Sequence, residues 1–92
     1  MSEKTSDRAQ MTAIQQVPKV VRTVGTCGGR ARLDGTRICV WVLESLWQQG
    51  LSADEIVAMY PMLTRQQVDY ALDWAERNVE EIESDIRAHE SG

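Results

Sequence analysis

Phenylalanine is absent from this 92-residue chain. Three tryptophans, Trp41, Trp47 and Trp74, are therefore expected to supply much of its large-side-chain burial. Histidine is nearly absent too, with His89 alone, and the only cysteines are Cys27 and Cys39. A zinc site needs about four converging nitrogen or sulfur ligands, and three scattered ones do not make it, so no metal and no cofactor is expected. The two cysteines do not form a CxxC pair, and they read as reduced and half-buried rather than bridged. No apolar run approaches the roughly 18–20 residues that span a bilayer. The opening stretch, residues 1–16, is polar and lacks the apolar centre of a secretion signal, which leads to the expectation of a cytoplasmic protein. Catalytic groupings are missing as well. No serine or cysteine stands near a plausible base, and Cys27-Gly28-Gly29 is too short for a phosphate-cradling loop. The expectation is a chain that is not an enzyme.

Apolar residues make up 42% of the chain and charged residues 26%, an ordinary globular balance that allows one small core. The net charge of -4 hides a gradient. Residues 1–52 hold seven basic and four acidic residues, and residues 53–92 hold three basic and ten acidic, so the halves carry +3 and -7. Such a gradient is either solvated surface or two faces for two partners of opposite charge.

Residues 1–16 show no apolar period and read as a flexible N-terminal arm, with one helix-turn-helix-type domain and a helical extension over 17–92. The β-branched run Lys19-Val20-Val21-Arg22-Thr23-Val24 predicts a short strand. Asp34-Gly35 suits the positive φ angles of a tight turn, so a small basic β-hairpin is predicted around it. From Val40 the period becomes helical, with Leu43, Leu46 and Trp47 on one face and Gly50 as the stop. Ser52-Ala53-Asp54-Glu55 is a capping box opening a short helix that Tyr60-Pro61 closes. Thr64-Arg65-Gln66-Gln67 is a second box, opening the last helix. Val68, Leu72, Ala75, Val79, Ile82 and Ile86 then step by four and three, which predicts one long helix with Asn78 as its weak point. The fold class is thus mainly α: a small N-terminal β-hairpin and a three-helix, helix-turn-helix unit with a long last helix.

Three groupings carry candidate function. A helix-turn-helix reads bases with the start of its second helix, here Arg65, Gln66, Gln67 and Tyr70, although Asp69 and Asp73 close by repel phosphate. The alternative is a plain bundle with a polar face. Arg30, Arg32 and Arg37 of the hairpin form a second DNA-binding candidate, Arg30 and Arg32 being expected on one strand face; the alternative is protection of an edge strand. Third, Val79, Ile82 and Ile86, with Glu83 among the flanking acids, form an apolar seam for which the sequence offers no covering element except the N-terminal arm. That seam reads as a docking surface for a second copy or another protein, or else as a frayed amphipathic tail.

Taken in order, Gly28-Gly29-Arg30, Leu33 to Ile38, Val40-Trp41, Gly50-Leu51-Ser52, Glu55-Ile56, Tyr60-Pro61, Leu63-Thr64, Val68 and Ala71-Leu72 resemble the prokaryotic domain-of-unknown-function family four-three-three. That family includes VapB-like antitoxins, and the resemblance covers about residues 19–82. It implies a β-hairpin followed by a homeodomain-like or winged-helix-like unit. It also implies an antitoxin of a type II toxin-antitoxin system that binds and neutralises a PIN-like nuclease toxin, with promoter DNA as a second partner. Ala31 and Cys39 stand where the family often has proline, which implies a less rigid hairpin. The rival readings are a stand-alone dimeric transcription regulator and an assembly module that binds no DNA. Either way a homodimer or hetero-oligomer is expected.

Overall fold

A computed structural model describes residues 17–91; the N-terminal arm expected over 1–16 lies outside them. The elements in chain order are β1 (Val20–Val21), a 3-10 turn (Cys27–Gly29), β2 (Arg32–Leu33), and helices α1 (Val40–Gln48), α2 (Ala53–Met59), α3 (Arg65–Arg77) and α4 (Val79–Ser91). The architecture is mainly helical with a short antiparallel hairpin ahead of the helices, as the sequence led one to expect.

The hairpin pairs Val20 with Leu33 and Val21 with Arg32. Its strands are joined through the Cys27–Gly29 turn, where Cys27, Gly28 and Gly29 all take positive φ. The Asp34-Gly35 turn forms as well, closed by Thr36 donating to the Leu33 carbonyl, but the chain beyond it returns only one bridge, Arg32 with Cys39. Leu33 and Ala31 are buried in the core, and Val40 donates to the Ala31 carbonyl, so the hairpin sits on the start of α1.

Cys27 and Cys39 form a disulfide. The expectation of two reduced cysteines is therefore corrected. Ligand counting along the sequence could not show that the turn at Cys27 folds over the residue that caps α1. The bond ties the 3-10 turn to Cys39, the residue that caps the first helix.

The helix boundaries follow from their caps. Gly50 stops α1 in a left-handed conformation, with Gly50 donating to Trp47 and Leu51 to Leu46. Both capping boxes form: Ser52 with Glu55, and Thr64 with Gln67, each side chain accepting from the other residue's backbone amide. Each cap contributes about 1 kcal/mol. Leu63 donates to the Tyr60 carbonyl across the turn between α2 and α3.

The predicted single last helix is two helices. Asn78 leaves the helical region at φ -129°, ψ 46°, and its side-chain amide donates to the Trp74 carbonyl at the end of α3. After that break α4 lies against α1. Gln48 at the end of α1 meets Glu83 early in α4, and Trp41 at the start of α1 meets His89 late in α4, so the two helices run antiparallel. Ile82 (1% exposed) and Ile86 (6%) enter the same core as Val40, Leu43, Ile56 and Val68. The tryptophans do not fill that core as expected. Trp41 and Trp74 are half-buried and Trp47 is exposed, while leucine, isoleucine, valine and alanine provide the buried residues. Among the described residues no helix is long and apolar enough to cross a membrane.

Two ion pairs fasten α4 to the hairpin region. Arg22 donates to Glu81 at 2.6 Å and also lies over the Trp74 ring. Arg30 meets Asp85 at 3.3 Å. The Asp85 side chain is only 15% exposed, and its Oδ2 is buried without a hydrogen-bond partner. Burial raises the Asp85 pKa above 3.8, and the opposing pull of Arg30 does not cancel it. The folded state therefore holds this proton more tightly than the unfolded chain. Its contribution to stability is full below 3.8 and is lost as pH climbs through the raised value. Urea titrations of wild type and Asp85→Asn at acid and neutral pH are expected to show the variant gaining on wild type as pH rises. A gap that moves the other way would sink this reading of Asp85.

Candidate partner-docking groove

Where α1, α2, α3 and the start of α4 converge, they leave an open groove of about 790 Å³. Its floor and walls are Trp47, Ala53, Leu72, Ala75, Val79 and Ile82. Trp47 is 49% exposed and Val79 53%, which is costly for large apolar side chains unless something covers them. Around this surface stand Glu44, Asp69, Asp73, Glu76 and Glu83, with Arg65 as the one cation lining it among the described residues.

The rim charges differ in how they are compensated. Arg65 bridges Asp54 at 2.7 Å and Asp69 at 3.0 Å, and those two carboxylates hold its guanidinium firmly charged. Arg77 pairs with Asp73. Gln48, a neutral amide, donates to Glu44 at 3.0 Å and to Glu83 at 2.7 Å. Glu76 is exposed, and no described hydrogen bond or ion pair engages it. Three carboxylates on the rim thus lack a cation among the described residues.

Of the seven sequence candidates for DNA contact, Arg32 and Arg37 line one shallow pocket beside the Asp34-Gly35 turn. Arg30 is paired with Asp85, and Arg32 donates to the Thr36 carbonyl and to Thr23 Oγ1, so the two do not act as the joint pair their alternation suggested. Arg65 is held between two carboxylates, the Gln67 side-chain oxygen is occupied by its capping box, and Tyr70 is half-buried against the core. Arg37 and Gln66 are exposed and unengaged among the described contacts.

The seam of partner-binding candidates also divides. Ile82 and Ile86 are covered by this chain's own helices, because the break at Asn78 turns α4 onto α1. They are core residues and not the uncovered docking stripe expected from their spacing. Val79 and Glu83 remain at the groove. Sequence reasoning missed Trp47, Leu72, Glu44 and Glu76 as parts of the same surface. A trace of it was present: Asp69, Asp73 and Glu76 are spaced by four and three, which places them on one face of α3 beside Leu72.

A short hairpin, a capped helix-turn-helix and a returning fourth helix define a small, mainly helical domain that carries, among the described residues, an apolar groove with an acidic rim. The model of the family described as "Protein of unknown function (DUF433)" matches residues 20–75, and the chain belongs to that family. A crystal structure of a DUF433 member protein from Anabaena variabilis ATCC 29413 is 38% identical, superposes with a TM-score of 0.71, and matches over 86% of this chain and 77% of that one. No curated protein matches the chain.

Proposed function

We propose that this chain is a non-catalytic, antitoxin-like binding module that neutralises a PIN-like nuclease toxin through the acid-rimmed groove. The observation that carries this reading is the groove itself, which joins exposed Trp47 and Val79 to carboxylates that have no cation partner among the described residues. An RNA-binding nuclease presents an electropositive entrance, and an inhibitor with a negative face complements it and is steered toward it. Contact with promoter DNA has less support. Five of the seven candidate side chains are engaged inside the molecule, and Asp69 and Asp73 follow Arg65 by four and eight residues along α3.

Co-expression with the product of the neighbouring reading frame, which the proposal expects to be a PIN-like nuclease, tests it. The wild-type chain is expected to co-purify with the nuclease and silence its cleavage of RNA. Glu76→Lys with Glu83→Lys is expected to lose both effects while keeping its helical circular dichroism. Capture that survives the charge reversal, or a nuclease left fully active by the wild type, would overturn the reading.

A further inference from the structure

Resting on the protein-binding reading, the geometry points to a specific occupant. We propose that the groove takes a basic amphipathic helix from the partner, its apolar face on Trp47, Leu72 and Val79 and a lysine or arginine seated between Glu44 and Glu83.

The shape of the site selects a helix. Its walls come from four helices and the link before α2, and the two-stranded sheet contributes nothing to them. An extended segment laid there would find no strand edge to satisfy its backbone amides and carbonyls, whereas a helix arrives with its own satisfied. At about 790 Å³ the groove lies within the size range of pockets that enclose a compact ligand, and it has room for a few aliphatic side chains.

The charge selects the sign. Gln48 draws Glu44 of α1 and Glu83 of α4 to one amide nitrogen, which leaves the two accepting oxygens less than about 6 Å apart. A neutral donor orients them without cancelling either charge. An incoming ammonium or guanidinium meets both at once, and such charge-assisted bonds are shorter and stronger than the neutral ones they add to. The same carboxylates exclude a second copy of this chain as occupant, since a two-fold contact through this face would set two acidic rims against each other.

The probe is a labelled synthetic peptide of about 18 residues, or five helical turns, with leucine at i, i+3, i+4 and i+7 and lysine on its flanks. Fluorescence anisotropy with the full chain is expected to show saturable binding that weakens steeply between about 50 mM and about 500 mM salt. A peptide with glutamate replacing lysine is expected not to bind. Glu44→Gln with Glu83→Gln, which keeps polar partners for Gln48, is expected to weaken binding about tenfold and to flatten the salt dependence. Val79→Lys changes an exposed residue and should abolish binding without altering the fold. Equal binding of both peptides, no binding of the basic one, or indifference to the glutamine pair would overturn the proposal. A nuclease captured by a chain that ignores the peptide removes the helical occupant and leaves the antitoxin-like function standing. A bound peptide with no nuclease captured does the reverse.

Discussion

Truncation after Asn78 is expected to unfold the whole domain, where a peripheral tail would leave it intact. The cut removes Ile82 and Ile86, both buried, and uncovers the face of α1 on which they rest. It also releases Arg22 and Arg30 from Glu81 and Asp85. Removing the bulk of a single buried isoleucine costs about 2–5 kcal/mol. A domain of this size holds only about 4–11 kcal/mol in total, so losing two such residues and their helix consumes most or all of it. Circular dichroism should show little residual helix and no cooperative urea transition. The milder Ile82→Ala should remain folded at room temperature, with its urea midpoint lowered by an amount equivalent to about 2–5 kcal/mol. A truncated chain that still melts cooperatively would mean that α4 is not part of the core.

Reduction of the Cys27–Cys39 bond should cost less than the truncation but still a large share of the stability. The bond closes a loop with a sequence separation of 12, and restricting the unfolded chain over a loop of that length is worth about 3 kcal/mol. The hairpin would then keep only two paired positions and a few turn hydrogen bonds, and Cys27 would lose the constraint that holds it at positive φ. Thermal melts with and without a dithiol reductant are expected to differ by about 10–20 °C. Cys27→Ser with Cys39→Ser should melt like the reduced wild type and ignore the reductant. Identical melts in both conditions would show that the bond does not stabilise this fold.

What could be read along the chain was whatever neighbouring residues decide among themselves. Ser52 with Glu55, Thr64 with Gln67, the stop at Gly50 and the turn at Asp34-Gly35 depend on groups a few positions apart, and each appears where the sequence placed it. Hidden from view was every contact made across long separations. The stepping of Val79, Ile82 and Ile86 continues the α3 pattern without interruption, so periodicity alone could not show that Asn78 turns the stripe back onto α1. The opposition of a basic half and an acidic half was visible, but not that Arg22 and Arg30 of the first meet Glu81 and Asp85 of the second. Part of the charge gradient is therefore internal wiring. Five more carboxylates, Glu44, Asp69, Asp73, Glu76 and Glu83, stand at the groove, whose residues come from four helices and share no motif.

The break at Asn78 also sets an order in time. Because Leu43 and Val40 share a core with Ile82 and Ile86, a chain emerging from the ribosome cannot complete that core until Ile86 has cleared the exit. The capped turns of α1, α2 and α3 can form locally as they appear, but the core waits for the fourth helix. The groove has the same dependence, since Val79, Ile82 and Glu83 form one of its walls. Synthesis of almost the whole described chain must precede any partner's arrival, so a nascent or prematurely ended chain has no finished surface to offer.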